Sequence, residues 1–174
     1  MRVLVTGGSG FLGWHVLPLL LGRGLEVVAL ARSSSAAQRV SALGARPVLG
    51  DLDDPRSLEG AFGGTQGLVN LTSLGFGHAP AIVDACSMAG ITRAVFVSTT
   101  SIFTKTNAAS KALRETAEGT ISESGLDWTI LRPTMIYGTA ADRNMARLLR
   151  FIARSPVVPL PGGGDRLQQP VHVD

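Results

Sequence analysis

The stretch Val3-Leu4-Val5-Thr6-Gly7-Gly8-Ser9-Gly10-Phe11-Leu12-Gly13 decides the fold of this chain. Its apolar half predicts a buried strand, and its spaced glycines predict a sharp turn into a helix. Gly7 allows backbone angles that a side chain forbids, and Gly10 lets the main chain approach a pyrophosphate closely. Gly13 lets the new helix pack tightly on the strand. These three glycines are therefore predicted to bind a dinucleotide.

Phe11 and Leu12 open the helix that this turn predicts. The first N–H groups of a helix have no partner within the helix, and they lie at the positive end of its dipole. Both features attract phosphate charge. An ordinary glycine-rich turn is the alternative interpretation, but the order strand, turn and helix favours dinucleotide binding.

The composition is typical of a folded domain. The 174 residues are 45% hydrophobic and 17% charged, with a net charge of +3. Arg143, Arg147, Arg150 and Arg154 recur at helical spacing and predict a solvated helix face. Because a single aromatic residue, Phe151, lies among them, too few for a stacking surface, no nucleic-acid partner is expected. No apolar stretch is long enough to predict a membrane span. The single cysteine, Cys86, predicts a small buried side chain and a reducing, cytoplasmic location.

Alternating strands and helices predict the architecture. Continuous apolar runs such as Val27-Val28-Ala29-Leu30 are typical of parallel strands covered on both faces. The alternation predicts an α/β fold, a doubly wound parallel sheet (Rossmann) in three α/β/α layers, with residues 1–174 as one domain. The predicted strands are Arg2–Thr6, Glu26–Ala31, Arg46–Gly50, Gly67–Leu71, Arg93–Ser98 and Trp128–Leu131. The predicted helices are Phe11–Gly22, Ala36–Leu43, Pro55–Phe62, Pro80–Ala89 and Thr106–Ser124.

The ends of the predicted helices carry residues that suit them. Pro55 fits a first helical turn, with Asp53 or Asp54 as the cap. Pro18 lies inside the first helix, where the flanking apolar pattern outweighs one helix breaker. Four glycines follow predicted helices, where a left-handed residue belongs: Gly24, Gly44, Gly90 and Gly125.

The residues after the second predicted strand indicate which cofactor binds. An NAD site places a carboxylate there, about twenty residues past the glycines, to hold the ribose 2′-hydroxyl. This chain has Arg32 instead, followed by Ser33, Ser34 and Ser35. A guanidinium can pair with a 2′-phosphate, and hydroxyls can donate to it. A surface arginine in a polar loop is the alternative. The position at a strand end favours NADP over NAD.

The spacing Gly-x-x-Gly-x-x-Gly, opened by Thr6-Gly7, resembles the short-chain dehydrogenase/reductase superfamily, in its extended and atypical branches related to NAD-dependent epimerases and dehydratases. The resemblance implies that Asp51-Leu52 bind adenine: the carboxylate accepts from the exocyclic amine, and Leu52 covers the ring. It also implies that Asn70-Leu71 line the nicotinamide-side ribose and that Pro133 passes near the nicotinamide.

Extended relatives use a Ser/Thr, a Tyr and a Lys. The hydroxyl orients the substrate oxygen, the tyrosine transfers a proton, and the lysine binds the nicotinamide ribose. Here Thr99 is the best match to the Ser/Thr, with Ser98 and Thr100 close behind, and Lys111 matches the lysine. Asn107 stands where the tyrosine is expected, four residues before Lys111. An amide cannot give and take a proton, so tyrosine-dependent catalysis is not expected.

Three other side chains leave alternatives open. Lys111 either binds the ribose or pairs with Glu115 one helical turn on. Tyr137, the only tyrosine, has a loop-packing role in relatives. His78 follows the fourth predicted strand and either approaches a substrate or is structural, the latter favoured because no carboxylate is near it in sequence.

Three functions fit these residues. The first is an NAD(P)-dependent oxidoreductase, or an epimerase or dehydratase acting on an unknown small molecule such as a nucleotide sugar. The second is a non-catalytic NADP(H)-dependent redox sensor or assembly protein, a class that includes the NmrA-like regulators, which this chain resembles. The third is a structural domain that has lost its cofactor. The intact glycines argue against the third, and Asn107 weakens the first.

Two further expectations concern what the chain lacks. No His, Cys or carboxylate cluster has metal-ligand spacing, so no metal is expected. In the extended family, a run like the one that ends at Asp174 leads into a C-terminal substrate-binding part. This chain is expected to lack most of that part, either because the sequence is a piece of a longer protein or because the protein is a reduced version. Neither the substrate nor the oligomeric state is indicated.

Overall fold

The computed structural model describes residues 1–104, 109–139, 142, 145–159 and 169–174. The chain divides into two compact units, Met1–Arg132 and Pro133–Asp174. The described part of the first unit contains β1 (Arg2–Thr6), α1 (Phe11–Gly22), β2 (Glu26–Ala31), α2 (Ser34–Ala42), β3 (Arg46–Leu49), α3 (Pro55–Phe62), β4 (Gly67–Asn70), α4 (Ala79–Ala89), β5 (Arg93–Val97), α5 (Ala109–Ser122) and β6 (Asp127–Leu131). Short 3-10 helices cover Leu74–Phe76 and Thr100–Phe103.

The strands of the first unit form one parallel sheet in the order β3-β2-β1-β4-β5-β6. Val3 of β1 pairs with Val27 of β2 on one side and with Gly67 of β4 on the other. The chain therefore starts in the middle of the sheet, winds outward to β3 and returns to β4 beside β1. This reversal leaves a crevice at the carboxyl ends of β1 and β4, where such sheets bind ligands. The predicted doubly wound sheet is confirmed.

Alternate residues of β1 belong to two different hydrophobic cores. Val3 and Val5 pack with Leu17 of α1 and Val40 of α2. Leu4 packs in the other core, which α3, α4 and α5 cover. Because successive side chains of a strand point to opposite faces, the sheet has helices on both sides. The three α/β/α layers are confirmed.

The second core contains the only cysteine of the chain, Cys86, which is fully buried on α4. Burial raises the pKa of its thiol to about 12. The predicted small buried side chain is therefore confirmed. Among the described residues, no helix combines the length and the apolar character that a membrane crossing requires.

Most predicted bounds agree with the structure. The strands end within one residue of their predicted ends, and α1 and α3 have the predicted bounds. The first helix runs without a break across Pro18. Asp54 rather than Asp53 caps α3, because its Oδ1 accepts the Arg56 N–H at 3.2 Å. Of the predicted helix Thr106–Ser124, residues 106–108 lie outside the described part of the chain.

Several helix ends differ from the prediction by one or two residues, and two of these differences have a clear physical reason. The second helix begins at Ser34 rather than Ala36, because the Ser33 hydroxyl caps it by accepting the Ala36 N–H at 3.2 Å. Gly24, Gly44 and Gly90 have the predicted left-handed backbone, with φ of 74°, 86° and 70°. Gly125 does not. After α5 the Ser124 hydroxyl donates to the Ile121 carbonyl at 2.6 Å, so a side chain satisfies the helix end instead of a left-handed glycine.

The second unit contains, among its described residues, β7 (Ile136–Tyr137), α6 (Met145–Arg154) and β8 (Val171–His172). The two strands pair in parallel, and the Tyr137 ring meets the His172 ring edge to face at 5.1 Å between centroids. Tyr137 therefore makes a packing contact. The predicted basic face lies on α6, where Arg147, Arg150 and Arg154 are exposed, while Arg143 lies outside the described residues.

Candidate functional site

The glycine turn after β1 has a conformation that only glycine adopts easily. Gly7 has a φ of 71°, and a Cβ atom there would come within 2.9 Å of the backbone of Leu71 and Thr72. A side chain at Gly13 would overlap the carbonyl group of Gly8. The close packing at Gly13 is therefore with the turn itself. The sequence predicted close packing with the strand instead.

The space in front of α1 is open. Gly10 is the N-cap residue of α1, and no side chain caps the helix there. A Cβ atom at Gly10 would meet a single neighbour within 4 Å, the Gly7 carbonyl oxygen at 3.2 Å. The N–H groups of Phe11 and Leu12 belong to the first turn, which has no acceptors within the helix. An uncapped helix N-terminus beside a glycine backbone fits a pyrophosphate.

Arg32 and Ser33 follow β2 at the start of α2. The Arg32 side chain is exposed and makes no hydrogen bond or ion pair with the described part of the chain. The Ser33 hydroxyl accepts the Ala36 N–H and lies 3.1 Å from the Ser35 hydroxyl. Arg32 is therefore available to an anion, whereas Ser33 already serves as the cap of α2.

Asp51 and Leu52, which follow β3, have different surroundings. Asp51 Oδ1 accepts the Asp53 N–H at 3.1 Å, and the Asp51 N–H donates to the Ser57 hydroxyl at 2.8 Å. Leu52 is only 9% exposed and packs in the core with Leu58. The carboxylate lies at the carboxyl edge of the sheet as predicted, while the leucine side chain is directed into the core. Their adenine contact stays a prediction.

Asn70 links the carboxyl ends of β1 and β4 from a fully buried position. The Thr6 hydroxyl donates to Asn70 Oδ1 at 2.5 Å, and Asn70 Nδ2 donates to the Thr72 carbonyl at 3.0 Å. The Leu71 N–H donates to the Thr6 carbonyl at 3.1 Å. Both ends of the Asn70 amide are thus engaged within the protein, and the predicted ribose contact of Asn70-Leu71 stays a prediction.

The hydroxyls of Ser98 and Thr99, which follow β5, differ in what they donate to. The Ser98 hydroxyl donates to Glu118 Oε1 at 2.5 Å. Thr99 Oγ1 accepts the Ser101 N–H at 3.2 Å as the cap of the 3-10 helix Thr100–Phe103. A hydroxyl has one proton and two lone pairs, so within the described residues Thr99 still has its proton to donate, while Ser98 does not. This difference favours Thr99 for orienting a substrate oxygen.

Lys111 lies in the first part of α5. Its ammonium donates to the Thr104 carbonyl at 2.9 Å and lies 3.8 Å from Glu115 Oε1. The pairing with Glu115 that the helical spacing predicted is therefore present, and an ammonium group still has further donors for a ribose. Asn107, at the position of the tyrosine, lies outside the described residues.

The sequence did not single out Glu118 and Arg132 as partners. Arg132 follows β6, and its guanidinium contacts both carboxylate oxygens of Glu118 at 2.6–3.1 Å. Burial raises the pKa of the Glu118 carboxyl, but the hydrogen bonds from Arg132 and Ser98 outweigh it, so the pKa is lowered overall. The same pairing raises the pKa of Arg132. A charged residue directly after a strand was the one signal available.

His78 has a carboxylate partner that sequence proximity did not reveal. Its Nε2 lies 2.9 Å from Asp53 Oδ1, across 25 positions of sequence. The N-termini of α3 and α4 lie side by side, which brings the two residues together. His78 Nδ1 is buried and has no hydrogen-bond partner in the described part of the chain. Within those same residues, no group of three or more His, Cys, Asp or Glu could hold a metal ion.

Pro133 opens the second unit. Its predicted position near the nicotinamide therefore stays a prediction. The pairings that the first unit does establish are Thr6 with Asn70, Ser98 with Glu118 and Lys111 with Thr104, all at or near the carboxyl edge of the sheet.

Comparison with known proteins places this geometry in a family. The profile described as NAD(P)H-binding matches residues 7–150. The NAD(P)H azoreductase of Xenophilus azovorans is 32% identical over 136 residues, which cover 75% of this chain and 47% of that protein. The 2-alkyl-3-oxoalkanoate reductase of Stenotrophomonas maltophilia is 27% identical over all of this chain and 62% of that protein. The chain thus spans less than two thirds of the length of these curated relatives.

Solved structures share the fold. The UDP-glucose 4-epimerase of Thermotoga maritima superposes with a TM-score of 0.79 at 19% identity, covering 99% of this chain and 70% of that chain. A putative NAD-dependent epimerase/dehydratase of Bacillus halodurans gives 0.71 at 24% identity, covering 80% and 72%. The predicted NAD(P)-binding Rossmann fold is therefore confirmed, and the solved structures that share it include proteins of the epimerase type.

Proposed function

We propose that this chain, which belongs to the NAD(P)H-binding family, is the cofactor-binding part of an NADPH-dependent reductase that works without a tyrosine proton donor. Two features of the chain together support this function. The glycine turn in front of α1 is intact and open, while an amide, Asn107, stands where relatives place the phenol. The binding half of the site is therefore preserved and the proton-transfer half is changed.

The preference for NADPH rests on Arg32. Its guanidinium is exposed at the end of β2 and is not engaged elsewhere in the described residues. The neighbouring Ser33 hydroxyl caps α2. Recognition of a 2′-phosphate would therefore rely on the charge of Arg32 and on the first N–H groups of α2. An NAD site would need a carboxylate at this strand end, and the chain has none there.

Thr99 and Lys111 supply the remaining chemistry. A bound NADPH supplies a hydride. The Thr99 hydroxyl donates a hydrogen bond to the accepting atom of the substrate, since its proton is not used by the Ser101 contact. Lys111 binds the ribose and holds the segment after the 3-10 helix through Thr104. The Ser98 hydroxyl takes no part, because its proton is shared with Glu118.

Asn107 restricts the class of acceptor. Hydride addition to an isolated ketone forms an alkoxide that needs a proton donor, and losing that donor typically reduces the rate by about 10²–10⁴-fold. Hydride addition to a conjugated azo or quinone acceptor forms a delocalised anion instead, which takes its proton from water while NADPH becomes NADP⁺. The identity to an NAD(P)H azoreductase supports this acceptor class.

Two other functions have some support. Ketone reduction is favoured by the likeness to a 2-alkyl-3-oxoalkanoate reductase over the whole chain. A non-catalytic NADP(H)-dependent sensor or assembly protein is favoured by Asn107 alone. We also propose a cytoplasmic location, for which the free buried thiol of Cys86 is suited.

NADPH oxidation with four acceptors tests the proposal. The acceptors are a naphthoquinone, an azo dye, an aliphatic ketone and a nucleotide sugar, each assayed on the protein in the form in which its organism makes it. Turnover with the first two and little with the others is expected. Tight NADPH binding with no turnover on any acceptor would contradict the reductase function and favour the non-catalytic sensor. Robust turnover of the ketone alone would contradict the conjugated acceptor class and favour ketone reduction.

A further inference from the structure

Four side chains from separate elements form a connected chain at the carboxyl ends of β5 and β6. Ser98 donates to Glu118 Oε1 at 2.5 Å, and Arg132 contacts both Glu118 oxygens at 2.6–3.1 Å. The Arg132 guanidinium carbon lies 5.9 Å from the centroid of the Phe103 ring. We call this set, Ser98, Glu118, Arg132 and Phe103, the edge cluster.

The ion pair of the edge cluster has a fixed geometry. The Glu118 side chain is only 9% exposed, and the Arg132 side chain is 39% exposed. A buried carboxylate is stable only when it is paired and hydrogen-bonded, and Glu118 has both partners. Two parallel contacts hold the plane of a guanidinium as well as its position. The Glu118 contacts therefore fix where the Arg132 guanidinium lies.

Phe103 lies at the outer limit of cation–π distance from that guanidinium, and most of its surface is exposed. It is 70% exposed, although it contacts Arg132. It is also the last residue of the 3-10 helix that Thr99 caps. Because such a helix rises about 2 Å per residue, the ring is attached about 8 Å from Thr99. This separation is close to the width of a two-ring aromatic system.

We propose that Phe103 is the stacking surface for a planar, conjugated acceptor, and that the Glu118–Arg132 pair is the positioning device that holds its ring. The proposal rests on the reductase function above and adds the substrate subsite. An aromatic ring stacks on many flat π systems, so the subsite selects for flatness and conjugation rather than for particular polar groups. The Thr99 hydroxyl then reaches the accepting atom at the edge of the stacked ring.

Phe76 provides a matched control. It ends the other 3-10 helix, Leu74–Phe76, and is 68% exposed. Its ring neighbour is His78, at 6.0 Å between centroids and an angle of 56°. It has a similar exposure but lacks the ion-paired guanidinium and the link to Thr99. Removing Phe76 therefore tests whether any exposed aromatic side chain gives the effect.

The experiment compares Phe103→Ala, Phe103→Leu, Phe103→Trp and Phe76→Ala. The readouts are kcat and KM for a naphthoquinone, KM for NADPH, and the Kd of anthraquinone-2-sulfonate measured with NADP⁺ present, where no hydride is available. In Phe103→Ala the quinone KM and the anthraquinone Kd are expected to rise about 3- to 10-fold, with the KM for NADPH unchanged. Phe103→Leu should show much of the same loss, Phe103→Trp should retain binding, and Phe76→Ala should resemble the native chain.

Arg132→Lys tests the positioning device, because it keeps the charge but loses the planar fork. Its quinone KM is expected to rise while kcat and the KM for NADPH stay near native values, which a general loss of structure would not produce. Unchanged quinone KM and anthraquinone Kd in Phe103→Ala would overturn the subsite, as would an equal loss in Phe76→Ala. If the native chain turns over no quinone, the reductase proposal fails, and the anthraquinone Kd still decides whether Phe103 binds flat aromatic molecules.

Discussion

The two halves of the site, the glycine turn after β1 and the edge after β5 and β6, are built by different means. The glycine turn depends on backbone conformation within a few consecutive residues, with Gly7 at a φ of 71° and α1 left uncapped at Gly10. The half of the site after β5 and β6 depends on contacts between side chains that are distant in sequence. Glu118 pairs with Arg132, 14 positions away, and with Ser98, 20 positions away. Under the proposed function, the part that binds the cofactor and the part that contacts the substrate can therefore change separately, which suits a chain with an intact turn and Asn107.

The largest effect is expected from Gly10→Val. Among the described residues, the near neighbour of a Cβ atom at Gly10 is the Gly7 carbonyl oxygen at 3.2 Å, which needs only a small shift, so the fold should survive. It would occupy the space in front of the first turn of α1, so NADPH affinity should fall by more than about 100-fold. Calorimetric titration measures the affinity, and circular dichroism checks the fold.

Gly22→Ala is the matched control for that variant. Gly22 lies in the same helix, and in the described part of the chain nothing outside its own helix backbone and chain neighbours lies within 4 Å of a Cβ atom built on it. NADPH affinity should stay at the native value. A folded Gly10→Val protein that binds NADPH normally would refute the assignment of the glycine turn to the pyrophosphate.

Arg32→Asp should reverse the cofactor preference. Removing one charge-assisted contact should cost NADPH about 1.5–3 kcal/mol of binding free energy, and the new carboxylate can accept from the 2′-hydroxyl of NADH. Titration of both cofactors into both proteins measures the change. Equal affinities of the native chain for NADPH and NADH would contradict the role of Arg32.

Ser98→Ala and Thr99→Ala should separate structure from catalysis at the second edge. Ser98→Ala removes a hydrogen bond to a buried carboxylate, so the free energy of unfolding should fall by about 1–3 kcal/mol with kcat retained. Thr99→Ala should lower kcat by roughly tenfold with little change in stability. Chemical denaturation and quinone turnover, measured on both variants, test the pair. A loss of kcat in Ser98→Ala together with a loss of stability in Thr99→Ala would make Ser98 the catalytic hydroxyl.

The smallest effect is a dependence of stability on pH. Because the folded-state pKa of Glu118 lies below its ordinary value of 4.5, its ionised form stabilises the fold. This contribution is fully present above pH 4.5 and is lost as the pH falls through the folded-state pKa. Acid titration of the free energy of unfolding should show less of this loss in Glu118→Gln. An identical acid profile in both proteins would contradict the pairing with Arg132.

The two halves of the site also differ in how far the sequence predicts them. Runs such as Val27–Leu30 and the glycines of the turn are local signals, and the sheet and both hydrophobic cores follow from them. His78 with Asp53 and Ser98 with Glu118 depend on which helix and strand ends meet in space, which no local pattern encodes. A local pattern can also predict wrongly. Gly125 was predicted to close the end of α5, but the Ser124 hydroxyl satisfies that helix end instead.

The proposed function requires that this chain binds NADPH and lacks the proton donor for simple ketones. Asn107→Tyr tests it most directly, because it restores the Tyr-x-x-x-Lys spacing to Lys111. Steady-state turnover should show that the native protein reduces a naphthoquinone and barely reduces an aliphatic ketone, and that Asn107→Tyr raises kcat for the ketone by about 10²-fold or more with little change for the quinone. Rapid reduction of the ketone by the native protein, with no gain from the tyrosine, would contradict the claim.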